Sequence, residues 1–274
     1  SFTGANALIA NSAFIYWNQV ATLAGKSITI GSNGGFYLVG ANNSLTLDSA
    51  TTATGALNFY TDGSTNYSFT NQGTLTHNLG SASIYASLFT NSGTITALAG
   101  TLYLGYPSAS YNSVNTGSIV ADGSGTTVYV RGNFDNNGTL TAQNNGILRF
   151  DGSTTAANLG SVVLSTGGRA LLNGTVDNTV GTIVAPSGGT FELLGGNIVG
   201  GSLDPSTLTF TTSGGYLTSV TVTGDLSLSL ANSNVHFQSG TSFTGANASL
   251  ANSAYLYWQQ VGTLTGKTIT MGVG

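Results

Sequence analysis

Charged residues and cysteine are what this sequence lacks most. Only 5% of its 274 residues are charged, compared with about 25% in an ordinary soluble domain. The absence of cysteine excludes disulfides and thiolate metal sites. The cations are scattered along the chain, which argues against nucleic acid as a partner because nucleic-acid binding needs a basic stripe. These cations are Lys26, Arg131, Arg149, Arg169 and Lys267.

Long apolar runs and sustained helical periodicity are also missing. No run reaches the roughly 18 apolar residues of a transmembrane helix, so we expect no membrane span. The chain is nevertheless 40% hydrophobic, which is too apolar for a disordered segment. Its remaining residues are dominated by Thr, Ser, Asn and Gly. This composition is typical of bacterial extracellular proteins and predicts an extracellular or cell-surface location.

The beginning of the chain is duplicated near its end. Residues 1–31 and 242–272 align without a gap at an offset of 241 residues, and 22 of the 31 positions are identical. We expect residues 1–241 to form one long repeat unit and residues 242–274 to begin the next. Tandem arrays of this kind are typical of extended proteins. The partner that we expect is therefore the protein itself, through covalent continuation, end-to-end stacking or lateral bundling.

A shorter period runs through the middle of the chain. Six segments place a Gly-Thr or Gly-Ser pair before an apolar residue, and their glycines are 73, 93, 117, 138, 160 and 181. The steps of 20–24 residues, with alternating runs between Gly and Asn, predict an all-β parallel β-helix. Asn side chains before the glycines should stack and hydrogen-bond along the axis. The predicted inward ladder comprises Leu75, Ile95, Ile119, Leu140, Val162, Ile183 and Leu203.

Thr-x-Thr pairs recur near this coil spacing and should point outward, because threonine suits a strand surface. A flat threonine array would allow the solenoid to bind ice, which is one alternative function. Valines interrupt the array, however, at Val120, Val163 and Val184. The predicted pairs are Thr74/Thr76, Thr94/Thr96 and Thr139/Thr141.

Aromatic residues mark the duplicated segments. The phrase at residues 14–17 is Phe-Ile-Tyr-Trp, and its copy at residues 255–258 is Tyr-Leu-Tyr-Trp. Alternate residues of a strand face opposite sides, so one aromatic side must lie outside the coil core. We therefore predict that Phe14, Tyr16, Tyr255 and Tyr257 form a contact or adhesion surface.

Catalytic groups are sparse. The nine acidic residues fall mostly one per coil, whereas polysaccharide cleavage needs grouped carboxylates. His77 and His236 have no acidic neighbour in sequence. We expect no enzymatic activity, no catalytic residue, no cofactor and no metal ion. A carbohydrate-binding or polysaccharide-cleaving β-helix remains the alternative, with surface glycans as a further partner.

The Asn-x-Gly-Thr-Leu/Ile-Thr coils between Asn71 and Leu203 resemble the shaft regions of filamentous-haemagglutinin-like and autotransporter-like bacterial surface proteins. They are also similar to giant tandem-repeat β-solenoid adhesins. The resemblance implies secretion, a right-handed β-helix and a structural or adhesive role without catalysis. It transfers no functional residue, because the shared motif is architectural. The expected function is that of a segment of a long extracellular β-solenoid fibre.

Overall fold

The computed structural model describes residues 3–63, 66–106 and 112–272. It is a parallel β-solenoid of about 12 turns, which confirms the predicted fold class. The described helices are a single turn, α1 (Ala156–Leu159), and a 3-10 turn at Pro205–Thr207. No helix in these ranges is long and apolar enough to cross a membrane.

The first half of the strands, in chain order, is β1 (Asn6–Ile9), β2 (Phe14–Trp17), β3 (Val20–Leu23), β4 (Ser27–Ile30), β5 (Gly35–Leu38), β6 (Ser44–Leu47), β7 (Thr52–Gly55), β8 (Asn58–Thr61), β9 (Ser68–Asn71), β10 (Thr74–His77), β11 (Ser81–Ile84), β12 (Leu88–Asn91), β13 (Thr94–Ala97), β14 (Thr101–Leu104), β15 (Asn112–Asn115), β16 (Ser118–Asp122), β17 (Thr127–Val130) and β18 (Asn133–Asn136).

The second half is β19 (Thr139–Gln143), β20 (Ile147–Phe150), β21 (Ser153–Thr155), β22 (Ser161–Leu164), β23 (Arg169–Leu172), β24 (Thr175–Asp177), β25 (Phe191–Leu193), β26 (Asn197–Val199), β27 (Ser202–Leu203), β28 (Leu208–Phe210), β29 (Tyr216–Thr218), β30 (Thr221–Val222), β31 (Leu226–Leu228), β32 (Asn234–Gln238), β33 (Ser242–Phe243), β34 (Asn247–Leu250), β35 (Tyr255–Trp258) and β36 (Thr268–Met271).

The chain divides into two compact units. The first unit comprises Ser1–Gly152 and Gly160–Arg169, and the second comprises Ser153–Leu159 and Ala170–Gly274. In the first unit, every third strand pairs in parallel, so each turn contributes one strand to each of three sheets. We call these the first sheet (from β1 to β22), the second sheet (from β2 to β20) and the third sheet (from β3 to β18).

Alternation of side chains builds the core of the first unit. In β13, Ile95 and Ala97 are fully buried, whereas Thr94 and Thr96 lie toward the surface. The predicted inward ladder is confirmed here: Leu75, Ile95, Ile119, Leu140 and Val162 are paired in register and buried. Burial of one such side chain contributes about 1.5–3 kcal/mol, and each turn repeats that contribution.

Phenylalanines fill the early turns of the same core. The rings of Phe36 and Phe59 stack with their centroids 5.4 Å apart. Phe59 also stacks on Phe69 at 4.1 Å, and Phe69 stacks on Phe89 at 5.9 Å. All four are fully buried. Their stacking joins successive turns at Phe36–Phe59 and Phe69–Phe89, and joins two sheets at Phe59–Phe69.

A ladder of buried asparagines runs along the third sheet, as predicted. The side-chain amide of Asn71 donates to Asn91 (2.8 Å), Asn91 donates to Asn115 (2.7 Å), and Asn115 donates to Asn136 (2.8 Å). All four side chains are buried. Each amide thus satisfies its neighbour, which removes the free-energy cost of an unpaired buried polar group.

The corners between strands require glycine at particular positions. Gly100 has φ = +69°, and a Cβ added there would lie 1.9 Å from the carbonyl oxygen of Gly80 in the preceding turn. Only a residue without a side chain fits this left-handed conformation and close backbone approach. The glycine content of the sequence therefore reflects the sharp corners of stacked turns.

The second unit has shorter strands in four parallel groups. These are β21-β24-β26-β29-β32-β35, β23-β25-β28, β27-β30-β33 and β31-β34-β36. The two last members of the predicted ladder, Ile183 and Leu203, are both buried here. Leu203 lies in register with Val222 of the following turn, whereas Ile183 lies outside the strands.

Candidate binding surface

The four aromatic residues predicted to make contacts lie at the surface to different extents. Tyr16, Tyr255 and Tyr257 are exposed by 69%, 54% and 42%. Phe14 is half-buried, because its ring packs against Tyr37 at 6.2 Å and Tyr60 at 5.9 Å between centroids. Phe14 and Tyr16 thus begin a larger aromatic surface that the sequence analysis did not identify.

A row of tyrosines continues from Tyr16 along the outer side of the second sheet. Tyr16, Tyr37 and Tyr60 occupy the same register position in β2, β5 and β8. Tyr85 continues the row directly after β11, since Ile84 pairs with Phe59. Tyr106 follows one position out of register, beyond Gly105, whose φ of +80° turns the chain. Repetition of the turns therefore converts tyrosines distant in sequence into a single row.

The end of this row forms a cleft of about 390 Å³. Successive ring centroids are 6.4 Å apart for Tyr37–Tyr60, 6.0 Å for Tyr60–Tyr85 and 5.3 Å for Tyr85–Tyr106. We name this surface the tyrosine cleft. It is lined by Tyr37, Tyr60, Thr61, Asp62, Gly63, Tyr85 and Tyr106.

Polar groups are fixed at the edge of the tyrosine cleft. The Asp62 carboxylate accepts hydrogen bonds from the buried Tyr67 hydroxyl and from the backbone N–H of Gly40 (3.2 Å). The Tyr60 hydroxyl donates to the side-chain oxygen of Asn58 at 2.8 Å. The cleft consequently combines apolar ring faces with hydrogen-bonding groups held in place.

Burial raises the pKa of the Tyr60 hydroxyl above its usual value, and the neighbouring Tyr85 hydroxyl raises it further. A hydrogen bond with Ser83 acts in the opposite direction. Because the ordinary value is already about 10, this hydroxyl stays protonated at neutral pH. Asp62 is the only carboxylate among the residues that line the cleft.

Two arginines cover the tyrosines of the next turns on the second sheet. The guanidinium of Arg131 lies 4.0 Å from the Tyr103 ring centroid and 5.1 Å from that of Tyr129. Arg149 lies 5.2 Å from Tyr129 and donates to Asp151 at 2.7 Å. These rings therefore have cationic partners, and Arg131 also donates a hydrogen bond to the Tyr85 hydroxyl of the cleft at 3.5 Å.

A shorter aromatic row lies on the second unit. Tyr216, His236 and Tyr257 share one register position in β29, β32 and β35. The imidazole of His236 stacks on Tyr257 at 4.3 Å and contacts Tyr216 at 4.8 Å. Tyr257 therefore extends a row in the second unit, just as its equivalent Tyr16 begins one in the first.

The Thr-x-Thr pairs lie on the outer side of the first sheet, as the sequence predicted. The in-register array is longer than the sequence analysis recognised, because β4 and β7 add Ser27/Thr29 and Thr52/Thr54 to it. Val120 and Val163 interrupt one column. The other column begins at Asn6 and carries a hydroxyl in each strand from β4 to β22: Ser27, Thr52, Thr74, Thr94, Ser118, Thr139 and Ser161.

The acidic residues support turns. Hydrogen bonds from neighbouring N–H or O–H groups lower the pKa of five aspartates at strand ends or in connections. For Asp48 the main donor is the backbone N–H of Gly25, and for Asp204 it is the Ser206 hydroxyl. Within the described ranges, no three His, Asp or Glu side chains are grouped closely enough to hold a metal ion. The five aspartates are Asp48, Asp122, Asp177, Asp204 and Asp225.

Comparison with protein-family models, with curated protein sequences and with solved structures gives no match for this chain. The β-solenoid fold is therefore established from the structure itself.

Proposed function

We propose that this chain is a repeating structural unit of an extracellular β-solenoid fibre with a mechanical or adhesive role and no catalytic activity. The observation that carries the proposal is the duplicated segment. Strands β1, β2 and β4 of the first copy correspond residue for residue to β34, β35 and β36 of the second, at the offset of 241. The pairing of Asn6 with Ser27 recurs as the pairing of Asn247 with Thr268.

The two copies pair with neighbouring turns on opposite sides. In the first copy, β4 pairs with the following strand β7. In the second copy, β34 pairs with the preceding strand β31. One folded turn is therefore compatible with a turn on either side, which is what a tandem array requires of the junction between its units.

A chain with residues 1–241 in duplicate, followed by residues 242–274, tests this proposal. Small-angle scattering should show a longer rod. Eleven coils at a strand spacing of about 4.8 Å give an increase of roughly 53 Å in the maximum dimension. Two lobes that move independently, or an unchanged length, would contradict the fibre. A chain with residues 32–241 scrambled in the added unit is the control.

Self-association is the second part of the proposal. Exposed parallel edges favour pairing between molecules, and with 5% charged residues little repulsion opposes it. Sedimentation velocity should show association that increases with protein concentration and changes little with salt. A monomer at all concentrations would leave covalent continuation as the sole route to a fibre.

Ice binding is a second candidate, favoured by the hydroxyl array of the first sheet. Four successive turns carry in-register pairs, from Ser27/Thr29 to Thr94/Thr96. Their spacing is about 4.8 Å between strands and about 6.6 Å along a strand, which gives a regular array of hydroxyl groups. Thermal hysteresis that is lost in Thr54→Lys but kept in Thr22→Lys, on the third sheet, would support it. Absence of hysteresis in the unaltered protein would exclude it.

A further inference from the structure

The tyrosine cleft has a composition that suits one class of ligand. Four tyrosine rings supply apolar faces, while Thr61 and Asp62 supply a hydroxyl and a carboxylate beside them. Sugar rings present the complementary chemistry, because their C–H faces are apolar and their hydroxyl edges need hydrogen bonds. Tyrosine can satisfy both, since its ring is apolar and its hydroxyl is polar.

The arrangement of the rings distinguishes a chain from a compact ligand. A cation cage surrounds one point with several rings, each within about 6 Å of the charge. Here the rings of Tyr37, Tyr60 and Tyr85 follow one another in successive turns, with 6.4 Å and 6.0 Å between centroids. They form a row along the direction of stacking, and their planes are inclined to one another by 63° and 52°. An extended polymer would therefore contact one ring after another, through both faces and edges.

Hydrogen bonds hold the side chains of the tyrosine cleft in place before a ligand binds. Tyr60 is held by its hydrogen bond to Asn58, and Asp62 is held by Gly40 and Tyr67. Side chains fixed before binding lose little conformational entropy when a ligand arrives. Tyr106, at the end of the row, is 43% exposed and accessible to a ligand.

We infer that the tyrosine cleft binds a neutral, extended glycan chain of β-linked pyranoses, which lies along the row from Tyr37 to Tyr106. Its sugar rings pack against the tyrosine rings, and its hydroxyl groups donate to the carboxylate of Asp62. All residues that line the site belong to the first unit. The glycan inference therefore does not require that the protein form a fibre.

Calorimetric titration with cellohexaose, xylohexaose and chitohexaose tests this inference on the full chain. At least one hexasaccharide should bind, and the corresponding disaccharide should bind at least about tenfold more weakly because it covers fewer rings. Tyr106→Ala should weaken binding by about tenfold, equivalent to about 1.4 kcal/mol. Tyr85→Phe, which keeps the ring, should retain most of the affinity.

A matched control is available in the second unit. Tyr216 is 38% exposed, close to the 43% of Tyr106, so Tyr216→Ala should change affinity by less than about twofold. Circular dichroism checks that both variants keep their strand content. Equal losses in the two variants, or no binding of any of the three hexasaccharides, would overturn the inference.

Asp62→Asn separates a neutral sugar from a cation. The amide keeps an oxygen acceptor, so glycan affinity should fall only a fewfold. A quaternary ammonium ligand depends on the carboxylate charge, and tetramethylammonium is the probe for it. If tetramethylammonium binds, loses its affinity in Asp62→Asn, and the hexasaccharides do not bind, the cleft is a cation site and the glycan inference is wrong.

Discussion

Strands β1, β2 and β4 of the duplicated segment recur in its second copy, in different surroundings. Ile28 and Ile30 in the first copy are exposed by only 1% and 0%, whereas their equivalents Ile269 and Met271 are exposed by 44% and 74%. The reason is that β4 is covered by the following strand β7, while β36 pairs within the described residues with β34 alone. The burial of these strands therefore depends on the neighbouring turn.

The third strand of the first copy, β3, has no equivalent strand in the second copy. Val20–Leu23 forms β3 in the first copy, where it pairs in register with Ser44–Leu47 of the next turn. The equivalent residues 261–264 are not in a strand, and Val261 is fully exposed. A strand needs a hydrogen-bonded partner. In the described part of the chain, the first copy has that partner for its third strand and the second copy does not.

The sequence differences between the copies at β1 are related to the burial of each position. Leu8 becomes Ser249, which exchanges an apolar for a polar side chain. Leu8 is 77% exposed on the outer side of β1, so the exchange changes little burial. At the inward position next to it, Ile9 becomes Leu250, and both are buried. The duplicated segment therefore conserves apolar character where side chains face the core.

The largest effect that we expect is a difference in stability between substitutions at equivalent positions of the two copies. Ile30→Ala removes a fully buried side chain and should lower the free energy of unfolding by about 2–5 kcal/mol. Met271→Ala removes a side chain that is 74% exposed and should change it by less than about 0.5 kcal/mol. Urea unfolding measures both. Similar losses in the two variants would mean that Met271 is covered in solution.

An extension of the second copy should give a smaller but distinct effect. If residues 32–55 are appended directly after Gly272, the added turn should pair with β36 and supply the third strand with a partner. Burial of Ile269 and Met271 should then protect the amides of residues 261–271 from hydrogen exchange by at least about tenfold, or about 1.4 kcal/mol. An appended segment with the same residues in scrambled order is the control. Equal protection by both segments would contradict turn-specific pairing.

The buried His77 predicts a stability that depends on pH. Burial lowers the pKa of His77, although hydrogen bonds with backbone carbonyls, including those of Gly80 and Gly55, oppose the shift. The folded state then binds fewer protons than the unfolded state below about pH 6.5. Stability should be fully present above about pH 6.5 and decline as the pH falls toward the pKa of folded His77. A tenfold lower proton affinity corresponds to about 1.4 kcal/mol.

Urea unfolding between pH 7.5 and pH 5 should show a smaller dependence on pH in His77→Gln than in the unaltered protein. Aspartates with a lowered pKa, such as Asp48, titrate below this pH range. A pH dependence that is unchanged in His77→Gln would show that His77 has the same pKa in the folded and unfolded states and would contradict the prediction.

Much of the fold could be predicted because a solenoid repeats one local rule. The Gly-Thr phrases place Leu75, Ile95 and Ile119 at equivalent positions, and the structure pairs them in register. The asparagine ladder follows from the same phrases. Register between distant coils is fixed here by strand alternation, since a slip by one residue would turn each buried side chain outward.

The tyrosine cleft was missed for a physical reason. Its residues follow steps of 23, 25 and 21 residues from Tyr37 to Tyr106, which is close to the coil period. The Gly-Thr phrases begin only at Gly73, however, so the period was not applied to the earlier coils. Tyr106 also leaves the register at Gly105, where the direction of the chain depends on a turn rather than on strand alternation.

The smallest effect concerns a contact that both copies share. The ammonium group of Lys26 donates to the carbonyl oxygens of Thr3 and Gly4, at 3.4 Å and 2.8 Å. Lys267 repeats these bonds with Thr244 and Gly245, at 3.3 Å and 2.7 Å. Both lysines are partly exposed, so solvent weakens each contact.

Lys26→Met and Lys267→Met should therefore each lower the free energy of unfolding by no more than about 1 kcal/mol. The double variant should lose the sum of the two, because distant sites without shared partners act additively. Urea unfolding of the three variants makes the test. Lys267 also lies 4.7 Å from the ring centroid of Phe243, which can add a few tenths of a kcal/mol to its loss. A loss above about 2 kcal/mol at one lysine and none at the other would contradict this prediction. It would show that different interactions stabilise the two copies, although both contain the equivalent lysine contacts.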